Sequence, residues 1–234
     1  MLSSYLASPR TGHLRQALQI FAYLKKHHNA VMVFDPSDPV IDELLFERKD
    51  WASSEFGGVG GEILPPNMPE PRGLGFTMRA KVDADHAGDS VTRRSRTGFI
   101  IYLNCAPIYW MSKKQTSIEP SSFGSEFIAM KQCCEYIRGL RYKLRMMGIP
   151  VNGPSYIYGD NQSVLCNTSI PDSMLKKKYQ SIVCHFVREG AARDEWRTAY
   201  VSTNLNPADL LTKVLPSGEK RERFVKMLLH YVFG

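Results

Sequence analysis

The 234-residue chain contains no long apolar run. Its densest stretches, Phe99 to Leu103 and Met227 to Phe233, are short and interrupted, well below the roughly 18 residues that span a bilayer, so no membrane partner is expected. The opening MLSSYLASPR lacks the basic segment and apolar stretch of a secretory leader, which points to a reducing, non-secreted setting. Cysteine is sparse. Cys105, Cys133, Cys134, Cys166 and Cys184 are odd in number, include an adjacent pair and form no C-x-x-C. Neither a disulfide framework nor a structural zinc site is supported, and the five read as buried thiols. No segment repeats at a fixed period, which removes solenoids and propellers. Acidic residues are outnumbered by basic ones, 23 against 30, and the net +7 favours a polyanionic partner such as nucleic acid. Hydrophobic residues at 43% are ordinary for a globular protein, so wholesale disorder is excluded.

What is present has a clear order. Leu14, Ala17, Leu18, Phe21 and Leu24 recur at helical spacing, and the basic Lys25, Lys26, His27 and His28 suit the C-terminus of that amphipathic helix. Val31 to Phe34 reads as a short strand, stopped by Asp35, Pro36 and Pro39. From 35 to 73 the chain collects Gly57, Gly58, Gly60, Gly61, Pro65, Pro66, Pro69 and Pro71 without periodicity, a composition that predicts a linker and a domain boundary. Then Phe76, Met78, Ala80 and Val82 alternate with polar residues, and strand candidates at Gly98 to Leu103 and Ile108 to Met111 complete an antiparallel meander. Ser121 and Ser122 can cap a long helix carrying Phe123, Phe127, Met130, Cys134, Ile137 and Leu144, ended by Gly148 and Pro150. A strand at Tyr156 to Tyr158, a short helix, a helix from Ser181 to Arg193 and a strand from Trp196 to Val201 follow. A last helix is expected to open at Asn206 and Pro207. The order β-β-β-α-β-α-α-β-α predicts a mixed sheet.

Four acidic residues fall at the ends of these elements: Asp83 at the end of the first meander strand, Glu126 early in the long helix, Asp160 after the fourth strand and Asp209 at the start of the last helix. Each also has a structural reading, because carboxylates complement helix N-termini and serve in turns. Brought together, four carboxylates would repel one another unless a hard cation sat among them. Such sets hold Mg²⁺, and a pair of ions can drive in-line displacement at a phosphodiester.

The blocks DADHAGD, RRSRTGFIIYL, IYWMSKKQTSIEPSSFGSEFIAM, YGDNQSV, HFVRE and NPADLLTK, in this order and spacing, resemble the ribonuclease H domain of Ty1/copia-type retrotransposon polyproteins. The resemblance covers about Lys81 to Pro216. It implies an α/β ribonuclease H-like fold, a five-stranded mixed sheet flanked by helices with the catalytic carboxylates at its centre. It also implies that Asp83, Glu126, Asp160 and Asp209 are catalytic residues and ligands of two Mg²⁺ ions, with Mn²⁺ as a substitute. Residues 1–34, beginning MLSSYLASPRTGH, resemble the tail of the preceding reverse-transcriptase region. With 35–73 as linker, the ribonuclease H domain is expected over 74–216 and a C-terminal helix over 217–234. No Asp-Asp pair occurs, so the polymerase metal motif is missing and no polymerase activity is expected. His86 and LKKKYQSI depart from the family pattern without removing a carboxylate. The implied function is metal-dependent cleavage of RNA in RNA/DNA hybrids during reverse transcription, with the rest of the polyprotein as a partner. The implied setting is intracellular, in the cytoplasm or in retrotransposon particles. The competing reading is a catalytically inactive nucleic-acid-binding remnant or connection-type structural domain.

Basic residues around the long helix, among them Lys113, Lys114, Arg138, Arg141 and Arg145, read either as a solvated face or as a track for hybrid phosphates. Lys176, Lys177 and Lys178 form a second basic cluster. Ser122, Asn161 and Gln162 adjoin the proposed ligands and suit recognition of 2′-hydroxyls. His185 reads either as a packed helix residue or as an auxiliary proton shuttle near the metals. Trp110 and Trp196 read as core.

Overall fold

The computed structural model describes residues 2–171 and 181–231. The chain divides into two compact units, one of residues 1–33 with 228–234 and one of residues 34–227. In the smaller unit, helix α1 (Thr11–Lys26) is followed by strand β1 (Ala30–Val31), which pairs antiparallel with β7 (His230–Tyr231). Tyr231 Oη and His27 Nδ1 are 2.9 Å apart beside this pair. The apolar stripe expected on α1 exists, but Leu14, Leu18, Phe21 and Leu24 are all exposed.

The larger unit contains the antiparallel meander β2 (Met78–Asp85), β3 (Arg96–Leu103) and β4 (Ala106–Lys114). Helix α2 (Ser122–Met146) crosses to β5 (Ser155–Gly159), which lies parallel to β2. After α3 (Gln162–Ser169) and α4 (Ser181–Ala192), β6 (Trp196–Tyr200) adds parallel to β5. The sheet order is β4-β3-β2-β5-β6, the five-stranded mixed sheet that the family resemblance implies. Ser121 Oγ caps α2 by accepting the Gly124 N–H, and Gly148, at φ +71°, lets the chain turn away after its last turn.

One face of the sheet packs on α2. Met78, Ala80, Val82, Phe99, Ile101 and Ile157 meet Phe127, Met130, Cys133, Cys134 and Ile137 in the core, all essentially buried. Burial of this apolar surface drives the assembly, at about 25 cal/mol per Å². Trp196 belongs to the same core. A side chain at Gly190 of α4 would collide with its ring, so the glycine allows α4 to close on β6, and Trp196 Nε1 donates to Val187 O at 3.0 Å. Trp110 differs from expectation: it lies on the edge strand β4 and is half exposed. All five cysteines are free; Cys133, Cys134 and Cys184 are buried as expected, but Cys166 is exposed.

The Pro- and Gly-rich segment forms no helix or strand, as its composition suggests, yet it does more than connect. Phe46 is buried against the rings of Tyr156 and Tyr158. Trp51 and Phe56 are buried near Arg188 of α4, and Glu62 forms ion pairs with Arg141 and Arg145 of α2. This stretch is an integral part of the larger unit, whose compact limit falls at Phe34. The C-terminal helix expected over 217–234 is α6 (Glu219–Leu228), and β7 follows it because His230 and Tyr231 pair with β1. The helix expected at Asn206 is the four-residue α5 (Asp209–Thr212). Asn206 precedes that helix, its Oδ1 accepting the Ala208 N–H and its Nδ2 donating to Val82 O.

Candidate functional site

Strands β2 and β5 pair directly only over Arg79–Lys81 and Tyr156–Tyr158. Beyond Lys81 the β2 backbone turns to a different partner, with Val82 O accepting from Asn206 Nδ2 at 2.8 Å. From here β2 leads to β3 on one side and β5 leads to β6 on the other, so the carboxyl ends of two parallel strands open a crevice where the chain direction switches. Asp83 stands on β2 at that point and Asp160 follows the last residue of β5. Glu126 enters from the N-terminal part of α2. One carboxylate oxygen from each of Asp83, Glu126 and Asp160 lies within 4.8 Å of the other two.

Asp83 was expected on the polar phase of its strand, and it is fully buried because α5 covers that face. The close approach depends on Gly98, which is directly opposite Asp83 in the β2–β3 register. A Cβ there would lie 2.6 Å from Thr212 Cγ2 and 2.8 Å from Leu211 Cβ. Seated against the glycine, α5 brings the Thr212 hydroxyl to Asp83 Oδ2, to which it donates. Lys213, immediately after α5, places Nζ 3.3 Å from Asp83 Oδ1 and 2.7 Å from Asp209 Oδ1. Lys220 Nζ pairs with the other Asp209 oxygen. Asp160 Oδ2 accepts the Thr203 hydroxyl at 2.9 Å.

The electrostatics follow from this packing. Burial pushes the Glu126 carboxyl up to about 9, reinforced by the charges of Asp83 and Asp160; Lys213 and the Ala84 N–H oppose the shift without cancelling it. Burial likewise raises Asp83 to about 6, against the pull of Lys213 and Thr212 and with help from Asp209 and Asp160. Burial would raise Asp209 too, but Lys213 and Lys220 outweigh it and hold its carboxyl below the ordinary range. Three crowded carboxylate oxygens, two of whose parent groups resist ionisation, fit a hard divalent cation: the donor chemistry is right, and a cation would relieve the repulsion.

Of the four carboxylates expected to converge, the structure gathers three and sets Asp209 beside them through the shared Lys213. Asp85, two residues from Asp83 on the same strand phase, is not among them; its Oδ1 accepts the Arg96 N–H at 2.5 Å. Asn161 acts as the N-cap of α3, its Oδ1 accepting the Val164 N–H at 3.2 Å, while Ser122 and Gln162 are exposed in the first turns of α2 and α3. His185 is exposed rather than packed in the core, its ring centroid 4.9 Å from that of Phe56. Lys176, Lys177 and Lys178 lie outside the described residues.

The basic residues of α2 require a correction. Arg138 is committed to Glu195 through two hydrogen bonds, and Arg141 and Arg145 are committed to Glu62, so these three guanidinium groups serve internal pairs and not a phosphate track. Lys113 remains exposed. Sequence reasoning missed Thr203, Thr212, Lys213 and Lys220. Only Lys213 carried a local signal, standing four residues after Asp209.

The fold and site define an α/β, ribonuclease H-like domain: a mixed five-stranded sheet flanked by helices, with an acidic trio at the junction of its two central parallel strands. Relatives of this chain include retrovirus-related Pol polyproteins from transposons. It is 30% identical over 172 residues to the Pol polyprotein of transposon TNT 1-94 from Nicotiana tabacum, covering 73% of this chain and 12% of that protein. It is 32% identical over 144 residues to that of transposon RE2 from Arabidopsis thaliana, covering 62% of this chain and 10% of that protein. The chain thus spans about a tenth of the length of the curated relatives it matches. No protein-family model matches it. Among solved structures, LC11-RNase H1 from compost aligns with a TM-score of 0.47 at 11% identity, over 58% of this chain and 92% of that one. RNase H1 from Halobacterium salinarum aligns at 0.44 and 13%, over 58% and 94%. The fold class stated above rests on the strand order itself. Among the described residues no helix is long and apolar enough to cross a membrane.

Proposed function

We propose that this chain carries the ribonuclease H activity of a copia-type Pol polyprotein, cutting the RNA strand of RNA/DNA hybrids with Mg²⁺ or Mn²⁺. The observation that carries the reading is the convergence of Asp83, Glu126 and Asp160 to within 4.8 Å at the mouth between β2 and β5. In this reading the three hold the ion, and Asp209 completes the acidic set from α5. A bound divalent ion supplies activation of water and charge stabilisation at the leaving 3′ oxygen. The chain's own part is to fix the carboxylates in advance. Thr212 orients Asp83, Thr203 orients Asp160 and the Ala84 N–H orients Glu126. In this reading exposed Ser122 and Gln162 contact the hybrid minor groove, and Lys176 to Lys178 are the proposed phosphate contacts.

A hybrid labelled in its RNA strand tests this, with and without Mg²⁺ and with the same sequence as duplex DNA. Mg²⁺-dependent cutting of the hybrid alone supports the proposal. Binding without cutting under every metal condition favours the remnant reading.

A further inference from the structure

Guanidinium groups crowd the place where β2 returns to β3: Arg93 and Arg94 in the turn and Arg96 at the head of β3. Arg93 and Arg94 are exposed, and so is Lys113, which lies across from Thr97 on β4. The acids of the same hairpin are occupied in holding it. Asp89 Oδ1 accepts the Val91 and Thr92 N–H groups at 3.0 and 2.8 Å, and its other oxygen pairs with Lys114. Asp85 Oδ1 accepts the Arg96 N–H. The Arg93 N–H donates to Asp89 O at 2.8 Å, the Asp89 N–H to Arg94 O at 3.2 Å, and the buried Ser95 hydroxyl accepts the Ala87 N–H at 3.0 Å. Among the described residues no carboxylate forms an ion pair with Arg93, Arg94 or Lys113.

Like charges this close repel, and with no acid to answer them an anion relieves the repulsion. Arg93 carries a second, independent mark. Its φ is +54°, in the left-handed region that asparagine or glycine adopts at less cost than arginine. A long cation is thus held where the backbone alone favours another residue. The turn also adjoins the acidic trio. Gly98 lies opposite Asp83, and Arg96 precedes it on β3 by two residues, roughly 7 Å along the strand. Guanidinium groups grip phosphate oxygens through paired donors, and the α2 arginines are committed to Glu195 and Glu62.

We propose that the β2–β3 turn is a phosphate-binding site, in which Arg93 and Arg94, with Lys113 beside them, contact the backbone of the RNA/DNA hybrid. The inference rests on the metal-dependent reading above and adds where the substrate is gripped. The turn is built in advance by Asp89 and Ser95, so its cations are presented on a fixed backbone.

Binding of an uncut hybrid in EDTA, followed from about 50 to 200 mM salt, provides the test. Arg93→Asn/Arg94→Gln is expected to weaken binding by roughly tenfold or more and to reduce the slope of log K against log salt by about 1.4 to 1.8, the share of two phosphate contacts. Arg93→Lys/Arg94→Lys is expected to keep most of the slope. Arg48→Gln/Lys49→Gln removes the same charge from side chains already paired with Asp194 and Glu47, and it is expected to leave the slope unchanged. Asparagine tolerates the backbone of residue 93, so the urea midpoint of Arg93→Asn should match or exceed that of wild type. An unchanged slope in Arg93→Asn/Arg94→Gln, an equal loss in Arg48→Gln/Lys49→Gln, a slope lost in the double lysine variant, or a lowered urea midpoint in Arg93→Asn overturns the inference and leaves the metal-dependent reading standing. Wild-type cutting in Mg²⁺ is measured alongside, and its absence overturns that reading itself.

Discussion

Gly98 lies directly across the β2–β3 pair from Asp83, and the missing side chain at 98 is what lets α5 rest on the sheet above the carboxylate. Thr212 and Lys213 reach Asp83 only because that seat is empty of a Cβ. Gly98→Ala is therefore expected to lift α5, lowering stability by about 1–3 kcal/mol as overpacking does, and to weaken Mn²⁺ binding as Asp83 loses its orientation. Urea denaturation and Mn²⁺ titration measure the two effects. An unchanged midpoint and affinity would show that α5 is not held by this contact.

The raised carboxyls give the metal-free protein a characteristic pH dependence. Glu126, ordinarily near 4.5, is pushed up to about 9 in the folded chain, and Asp83 to about 6. The folded state then holds more protons than the unfolded state across this window, so stability falls as pH rises from about 4.5 to 9. Thermal unfolding in EDTA should show this decline, with saturating Mg²⁺ flattening it and Glu126→Gln removing most of it. A melting temperature that rises across the same window contradicts the electrostatic account.

Arg141 is a buried guanidinium whose charge is answered by Glu62, from the segment whose composition reads as a linker. Removing one partner of a buried pair leaves the other uncompensated, so Glu62→Ala is expected to destabilise by about 3–5 kcal/mol. A chain begun at residue 74 loses Phe46, Trp51, Phe56 and Glu62 together and is not expected to fold stably. Circular dichroism and urea titration of both decide it. A truncated domain as stable as one begun at Phe34 would return the segment to linker status.

These cases show where the sequence was legible. Strand ends and helix starts announce themselves through alternation, caps and glycines, which is why Asp83, Glu126 and Asp160 could be placed on their elements before their spatial meeting was known. Long-range pairing leaves no such local trace. Arg138, Arg141 and Arg145 look like a basic track until Glu195 and Glu62, 57, 79 and 83 residues away, claim them. The gathering of Thr212, Lys213 and Lys220 around the site depends on how α5 and α6 return to the sheet, and Trp110 is half exposed because β4 is an edge. A Pro- and Gly-rich composition signals irregular backbone, and it is silent on whether Phe46, Trp51 and Phe56 find a surface to bury against.

Hybrid affinity should fall steeply with added salt, and replacing Lys176, Lys177 and Lys178 by alanine should reduce the slope of log K against log salt. Each phosphate contact contributes about 0.7 to 0.9 to that slope. With the α2 arginines committed internally, this cluster and exposed residues such as Lys113 are the proposed sources of phosphate contacts. An unchanged slope in the triple variant places those contacts elsewhere.

Asp83, Glu126 and Asp160 are the proposed nuclease centre, and Asp85 supplies the internal control for it. Asp160→Asn is nearly isosteric but removes one unit of charge from a proposed ligand, whereas Asp85 stands outside the trio with its Oδ1 on the Arg96 N–H. The decisive measurement is turnover of an RNA-labelled hybrid at saturating Mg²⁺ for wild type, Asp83→Asn, Asp85→Asn and Asp160→Asn, with hybrid affinity measured alongside. Wild type is expected to cut, Asp160→Asn to show no detectable cutting with affinity within about threefold, and Asp85→Asn to retain most activity. Near wild-type cutting by Asp160→Asn, or a dead Asp85→Asn beside an active Asp83→Asn, would contradict that assignment.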